Sequence, residues 1–309
     1  MSKDPSHDPL TRRDFLAQSG ATAALLAAAP MRPDLAMTRV HGDAAPLSKI
    51  PIGIELYAVR NELRRDLPAT LRAVKGYGYE VVEFFAPYLG WTIPYAKTVR
   101  TMLDDLGMRC YSTHNGIASL VPGDTMTKAI EINQVLGSRM IVLASPPMQA
   151  SGPDDWKKLA AQLAAASATL APHGLAAGFH NHSAEWQKTS DGQRPMDILA
   201  SNTPNEFVLQ LDVGTAMQAG ADPVAWITAH PGRIRSVHLK DWAPGDEKDE
   251  KSFRVLFAEG ASPWKRIITA LESTGGVEFY LMEQEGSRFS ELETARRCLA
   301  TWKRMRKTV

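Results

Sequence analysis

Residues 207–216 read FVLQLDVGTA, and this stretch contains the pattern that decides the fold. The mostly apolar run FVLQL is followed at once by Asp212, and the next helix-like stretch begins at residue 223. A short apolar run of this kind predicts a buried strand. The same order of strand and helix recurs along the chain after residue 50. We predict strands at residues 52–57, 81–85, 109–113, 140–143, 176–180, 207–211, 234–239 and 279–282.

Helix-like stretches separate these strands, and several of them end at a glycine, which is a common stop signal. They are residues 67–76, 95–106, 126–136, 156–170, 223–229, 264–273 and 290–305. Strands that alternate with helices predict a parallel sheet. Glu55 and Glu283, which mark the ends of the first and last strands, are 228 positions apart. Eight strand ends separated by seven steps of about 33 residues predict an α/β fold, the (β/α)8 TIM barrel. A doubly wound sheet is the alternative, but no G-x-G-x-x-G follows the first strand.

Composition excludes several classes of protein. The 309 residues are 44% hydrophobic and 22% charged, which is enough for a large core and excludes wholesale disorder. The net charge of +1 gives no reason to expect a nucleic acid or an anionic membrane as partner. Cys110 and Cys298 are too few for a disulfide scaffold, and we interpret them as two separate core cysteines rather than a bridge. The absence of G-x-S-x-G and GxxxxGK[ST] argues against a serine hydrolase and an NTPase.

Residues 1–45 differ from the rest of the chain. Arg12 and Arg13 precede Phe15, and residues 20–29 form a short apolar run, which is typical of a secretory signal. The arginine pair resembles the twin-arginine export motif. The run is far shorter than the roughly 20 residues of a membrane span. We therefore expect a signal and lead-in at residues 1–45 and a barrel domain at residues 46–309. We also expect contact with the twin-arginine export machinery, and a periplasmic or secreted mature protein that makes no membrane contact.

Polar side chains stand at the ends of almost all predicted strands, where a TIM barrel places its catalytic groups. They include Glu55, Glu83, His114, His180, Asp212, His238 and Glu283. Imidazole and charged groups are costly to bury without partners, so their convergence indicates a metal ion or a polar substrate. Nitrogen and carboxylate donors suit a divalent metal such as Mn, Co, Zn or Mg. The four donors from strands five to eight are His180, Asp212, His238 and Glu283.

Six segments resemble the sugar phosphate isomerase/epimerase superfamily, the xylose isomerase-like barrels that include inosose dehydratases, ketose 3-epimerases and endonuclease IV. The segments are IGIELYAVR (52–60), STHNG (112–116), GFHNHSAEW (178–186), LDVGTA (211–216), SVHLKDW (236–242) and LMEQEG (281–286). The resemblance covers roughly residues 50–306. It implies a divalent metal held by Glu, Asp, His and Glu from strands five to eight, and a sugar bound through vicinal oxygens. Asp212, His238 and Glu283 match three of these positions.

The strand-five position departs from that pattern. Many members have a Glu-Asn-His-like segment, whereas this chain has His180, Asn181 and His182. His180 stands where the glutamate is expected, and Glu185 is the alternative ligand or acid/base. In the epimerases, the glutamates of strands five and eight move the proton of the C–H bond. With histidine at one position that pair is incomplete, and His180 or His182 becomes a candidate base.

Further residues at the predicted rim are candidates for catalysis or sugar contact. We expect catalytic roles for Glu283, His180, His182, Glu185, His114 and Lys240. We expect sugar contacts from Tyr57, Glu83, His114, Trp186, Trp242 and Glu285. Packing is the alternative role for the aromatic residues, and capping of the next helix is the alternative for Asp212. Asp241 either orients an imidazole or forms an outward salt bridge.

These features predict a metal-dependent sugar isomerase or epimerase. A metal ion would polarise a carbonyl, and a base would take a proton from the adjacent carbon. Export and the lack of a phosphate cradle favour a non-phosphorylated sugar or keto-sugar. The alternatives are a lyase or dehydratase, including one that cleaves 3-keto-glycosides, and a non-catalytic periplasmic sugar-binding protein. A repair phosphodiesterase is disfavoured by the near-neutral charge. A homo-oligomer is compatible with each of these functions.

Overall fold

The computed structural model describes residues 50–147 and 150–308, so the predicted signal segment at residues 1–45 lies outside it. Eight parallel strands close into a barrel in chain order, with the first strand paired to the eighth. The predicted TIM barrel is therefore confirmed. The strands are β1 (Ile52–Glu55), β2 (Val81–Phe84), β3 (Arg109–Asn115), β4 (Met140–Leu143), β5 (Ala176–His180), β6 (Val208–Asp212), β7 (Ser236–Leu239) and β8 (Phe279–Met282).

Ten α-helices of the described part lie along the chain between and after these strands. They are α1 (Arg60–Arg65), α2 (Leu67–Tyr77), α3 (Ile93–Asp105), α4 (Asp124–Leu136), α5 (Pro153–Leu170), α6 (Pro195–Asn202), α7 (Val213–Gln218), α8 (Pro223–Ala229), α9 (Trp264–Ala270) and α10 (Glu291–Met305). The helix-like stretches predicted from the sequence do not include α1, α6 or α7, which have six to eight residues each. Among the described helices, none has the length and apolar character that crossing a membrane requires.

The barrel interior has an apolar layer below a polar one. The apolar layer consists of Val81, Met140, Val142, Val208, Phe279 and Leu281, all of them buried. Two residues further along their strands stand Glu83, Gln210 and Glu283, which are also buried. Because side chains alternate between the two faces of a strand, residues two apart point the same way. The lower layer therefore fills the barrel, and the polar layer lies at the C-terminal ends of the strands.

A larger core lies between the barrel and its helices, and it includes Phe179, Leu209 and Trp302. Cys110 and Cys298 are both buried in it as free thiols, which confirms their interpretation as separate core cysteines. This packing fixes which face of each strand points outward, and it thereby directs the alternate residues into the barrel.

The contact between β1 and β2 requires glycine at position 53. A Cβ built on Gly53 would lie 2.6 Å from the carbonyl oxygen of Val81, which is backbone that cannot swing away. We expect Gly53→Ala to lower the free energy of unfolding by about 1–3 kcal/mol, as overpacking does. Urea denaturation measures this change, and Gly90→Ala is the matched control because a Cβ there meets nothing within 4 Å. Equal midpoints for the two variants would contradict the steric explanation.

Candidate active site

Seven of the predicted side chains meet at the C-terminal end of the barrel. They are Glu55, Glu83, His114, His180, Asp212, His238 and Glu283, and each is at most 8% exposed. The imidazole rings form a compact group, with the centroid of His180 4.7 Å from that of His114 and 4.4 Å from that of His238. The rings of His114 and His238 are stacked, with centroids 5.0 Å apart. Strands that lie far apart in sequence thus deliver their polar ends to one small volume.

Gln210 joins the members of this group, and the sequence analysis did not single it out. Its Oε1 lies 2.7 Å from Nε2 of His114 and 3.1 Å from Nδ1 of His180. Its Nε2 donates to Oε1 of Glu83 and to Oγ of Ser236, each at 3.0 Å. The available signal was a polar residue at an inward position inside FVLQL, two residues before Asp212.

His238 lies between two carboxylates. Its Nε2 is 2.8 Å from Oε2 of Glu83, and its Nδ1 contacts Oε2 of Glu283. Burial lowers the pKa of His238, but the charges of Glu83 and Glu283 outweigh burial and raise this pKa to about 10. Burial likewise opposes ionisation of Glu83, yet His114 and His238 lower its pKa to about 2. The three side chains form a charged network inside the barrel.

His180 differs from His238 because burial, and then the nearby His238 and His114, hold its pKa well below the usual value. Burial also lowers the pKa of His114, although Glu83 opposes this. Both rings are therefore favoured in the neutral form, in which a ring nitrogen keeps a lone pair that can bind a metal ion.

The two carboxylate oxygens of Asp212 differ, because one accepts a hydrogen bond from the backbone and the other accepts none among the described residues. Oδ1 accepts a hydrogen bond from the backbone N–H of Thr215 and caps α7, so the capping role considered for this residue is real. Oδ2 is buried without a hydrogen-bond partner among the described residues, and it lies 3.8 Å from Nε2 of His180. A buried carboxylate oxygen without a donor is costly unless a cation satisfies it.

The donor atoms fit a divalent metal ion. One atom each from His180, Asp212 and Glu283 lie within 4.8 Å of one another. His238 contacts Glu283 and so lies next to this group. One imidazole nitrogen and two carboxylate oxygens suit Zn, Mn or Co, and Oδ2 of Asp212, which accepts no hydrogen bond among the described residues, is one of the atoms that such an ion would contact.

Lys240 supplies a fixed positive charge beside these donors. Its Nζ lies 3.5 Å from Oε1 of Glu283 and 3.7 Å from Oδ2 of Asp212, and it contacts Oε1 of Glu285. Burial lowers the pKa of Lys240, but these three carboxylates outweigh burial and raise it. The side chain therefore stays an ammonium ion, although it is 2% exposed.

Two adjoining cavities open at the rim. The first has a volume of about 420 Å³, and its lining includes Glu55, Tyr57, His114, His180, His182, Glu283 and Glu285. The second, of about 490 Å³, shares His182 and Glu285 with the first and adds Lys240, Phe253 and Arg254. A ligand that enters either cavity meets the polar ends of the strands. Volumes of this size are typical of small-molecule sites.

Comparison with known proteins places this barrel in a family. A family model for the xylose isomerase-like TIM barrel matches residues 71–304. This chain belongs to that family. At the ends of β6 and β8 and on β7, where the resemblance implies metal donors, the chain has Asp212, Glu283 and His238. The strand-five position, where the resemblance implies glutamate, carries His180.

Solved structures with low sequence identity to this chain share its fold. A sugar phosphate isomerase/epimerase from Parabacteroides distasonis ATCC 8503 is 23% identical, with a TM-score of 0.69 over 82% of this chain and 93% of that chain. The IOLI protein with a zinc atom is 15% identical, with a TM-score of 0.63 over 84% and 98%. The probable 3-DHS dehydratase AsbF from Bacillus anthracis is 11% identical, with a TM-score of 0.62 over 82% and 98%. No curated protein matches the chain.

At the strand-five position of this family member, the geometry favours His180 over Glu185. Glu185 lies in a short 3-10 turn, and its Oε2 accepts a hydrogen bond of 2.7 Å from the backbone N–H of His182. No group of three possible metal donors among the described residues contains Glu185. Its carboxylate orders the turn that carries His182, whose ring centroid is 5.1 Å from that of His180.

Three of the predicted sugar contacts, Glu83, Trp186 and Trp242, line neither of the two rim cavities. Trp186 is buried in the core, where its ring packs edge-on against Trp226 with the centroids 4.9 Å apart. Trp242 is half-buried in the loop after β7, and it lines neither of the two rim cavities. Trp186 therefore has the packing role that was the alternative for the aromatic residues. Tyr57, by contrast, lines the first cavity and is 38% exposed.

Asp241 also has a different role from the two that the sequence suggested. Its carboxylate orients no imidazole and instead anchors the long loop that follows β7. The groups that donate to it are the backbone N–H of Trp242, Ala258, Gly260 and Ser262, and the indole N–H of Trp264. The loop that carries Phe253 and Arg254 into the second cavity is thus held at its base by one carboxylate.

Proposed function

We propose that the protein is a divalent-metal-dependent enzyme that isomerises or epimerises a non-phosphorylated sugar or keto-sugar by moving a proton next to a carbonyl. The observation that carries this proposal is the donor group of His180, Asp212 and Glu283, in which Oδ2 of Asp212 is buried and accepts no hydrogen bond among the described residues. Two of these three side chains, His180 and Glu283, line the 420 Å³ rim cavity. When bound, a metal ion supplies a Lewis acid that polarises a carbonyl or stabilises an enediolate.

The residues of this chain supply the proton transfer. Burial opposes ionisation of Glu283, but Lys240 and His238 outweigh it and hold the pKa of this carboxyl well below its usual value. Glu283 is therefore an ionised carboxylate in the rim cavity, as a general base must be. His182 lines the same cavity from the end of β5 and is the second group that can hold a proton. His114 and Lys240 contact the hydrogen-bonding network rather than open solvent, and they orient the reacting groups.

The polar groups of the site suit a substrate that carries many hydroxyl groups. Five carboxylates lie in or beside the rim cavity, on Glu55, Glu83, Asp212, Glu283 and Glu285. The nearby lysine, Lys240, is already paired with three of them. Sugar hydroxyls can donate hydrogen bonds to the ionised carboxylates among these groups, Glu83 and Glu283.

The second cavity favours one alternative within this scheme. Because it shares His182 and Glu285 with the first, a substrate can extend past the sugar ring that is bound at the metal donors. A glycoside needs such room for its leaving group. A lyase that eliminates the leaving group of a 3-keto-glycoside begins with the same proton transfer, and it is the second candidate function.

Metal analysis and turnover test the proposal. We expect purified protein to contain about one divalent ion per chain by mass spectrometry. Incubation with keto-sugars in D2O should exchange the hydrogen at the carbon next to the carbonyl. A chelator should abolish the exchange, and Mn, Co, Zn or Mg should restore it. A protein without bound metal whose reaction ignores the chelator would contradict the proposal, and sugar binding without exchange would identify a binding protein.

We also propose that the mature protein is exported through the twin-arginine pathway. The support is Arg12 and Arg13 before a short apolar run. Cell fractionation of the wild type beside an Arg12→Lys/Arg13→Lys variant tests this, since the variant should stay in the cytoplasm.

A further inference from the structure

The side-chain amide of Gln210 contacts two imidazole rings, those of His114 and His180. Gln210 stands on β6 in direct register with His180 on β5, so the two side chains are neighbours on the inner face of the barrel. It is fully buried, and all four of its close polar partners are side chains. A buried amide with four partners has a fixed orientation, because each misplaced partner leaves a buried polar group unpaired.

Glu83 determines which end of the amide faces the histidines. An ionised carboxylate only accepts hydrogen bonds, so the group 3.0 Å from Oε1 of Glu83 must be the NH2 of Gln210. The amide oxygen then faces Nε2 of His114 and Nδ1 of His180. An amide oxygen also only accepts, and each of these two ring nitrogens must therefore carry a hydrogen.

A neutral imidazole has one N–H and one lone pair, so these two donations determine where the lone pairs lie. His180 is the Nδ1–H tautomer, and its lone pair is on Nε2, the atom 3.8 Å from Oδ2 of Asp212. His114 is the Nε2–H tautomer. The hydrogen bond from Nδ1 of His180 to Gln210 thus leaves Nε2, on the opposite side of the ring, facing the other metal donors.

We propose that Gln210 is a positioning residue that fixes the tautomers of His180 and His114 and thereby presents Nε2 of His180 to a metal ion. A glutamate at the strand-five position has no tautomers and needs no such partner, whereas a histidine does. The metal-binding consequence rests on the function proposed above, but the tautomers themselves do not.

Nuclear magnetic resonance of the metal-free protein tests the tautomers directly. Two-bond ¹⁵N–¹H spectra of histidine-labelled protein should report His180 as the Nδ1–H form and His114 as the Nε2–H form. Gln210→Leu should convert each signal to a mixture or to the other form. Ser236→Ala is the matched control, because it removes one partner of the amide NH2 and leaves Glu83 to orient it. Gln210→Glu with a protonated carboxyl should keep both tautomers, since its O–H can donate to Glu83 and its carbonyl oxygen still accepts from both rings, although the hydrogen bond to Ser236 is lost.

Two results would overturn the proposal. The first is a wild-type spectrum in which His180 carries its hydrogen on Nε2, which requires no variant to fold. The second is a folded Gln210→Leu protein in which both tautomers are unchanged. Because no metal ion is present in these samples, failure of the proposed enzyme function would not produce either result.

Metal affinity gives a second readout. Titration with Co²⁺ should show binding weakened about 10–100-fold in Gln210→Leu, the usual cost of losing the partner of a ligating histidine. In a His180→Glu background the same substitution should weaken binding much less, because the carboxylate has no tautomer to fix. An equal loss in both backgrounds would contradict the positioning role and would indicate a general effect on the barrel.

Discussion

Replacing Glu283 by glutamine is expected to lower kcat by about 10²–10⁴-fold, the usual contribution of a general base. Glutamine keeps the shape of the side chain and an oxygen that can contact a metal ion, but it cannot accept the proton. It also removes the charge that Lys240 and His238 stabilise. The measurement is steady-state turnover of a keto-sugar together with deuterium exchange at the reacting carbon.

The metal content of the same Glu283→Gln sample separates loss of the base from loss of the ion. Glu285→Gln is the matched control, because this neighbouring carboxylate also contacts Lys240 but has a side chain that is 43% exposed. It should lose much less activity. A Glu283→Gln protein that retains its metal ion and more than a tenth of its turnover would show that another group takes the proton.

Replacing Lys240 by methionine is expected to lower the free energy of unfolding of the metal-free protein by about 3–5 kcal/mol, the usual result of removing one partner from a buried ion pair. The ammonium group is buried beside Asp212 and Glu283, and no other lysine among the described residues contacts them. Methionine preserves the length of the side chain but leaves these carboxylates without their cation. Urea denaturation in a chelator measures the loss.

A divalent ion should recover much of the stability lost in Lys240→Met, because it would supply positive charge to the same carboxylates. The control is Lys75→Met on the surface, where the ammonium group contacts only the carbonyl oxygen of Gly107 at 3.2 Å among the described residues. That variant should unfold within about 0.5 kcal/mol of the wild type, as exposed substitutions do. Equal stability of the two variants in chelator would contradict the charge balance derived for Lys240.

The barrel and the polar ends of its strands could be predicted from the sequence because both follow from alternation. Asp212 and Glu283 come directly after apolar runs, and parallel strands deliver such residues to one rim. The predicted ends of the strands agree less well with the structure than the predicted order of strands and helices does. The first strand ends at Glu55 because residues 56–59 turn into a 3-10 helix, and β3 continues to Asn115.

The parts that could not be predicted depend on contacts between distant residues. Gln210 acquires its role from Glu83, which is 127 positions away and meets it only when the barrel closes. Trp186 follows the polar residues at the end of β5 in sequence, but its ring packs against Trp226 in the core. Asp241 follows a conspicuous histidine, yet it binds backbone groups as far along the chain as Ser262. Local patterns do not contain such pairings.

The apolar layer inside the barrel determines how molecules can enter and leave the site. It consists of Val81, Met140, Val142, Val208, Phe279 and Leu281. It fills the barrel below the polar network, so the interior of the described barrel opens only at the C-terminal ends of the strands. Substrate must enter and product must leave by the same opening, in turn. The layer also keeps bulk water on one side of the network, so proton exchange with solvent must run through the same opening that the proposed substrate uses.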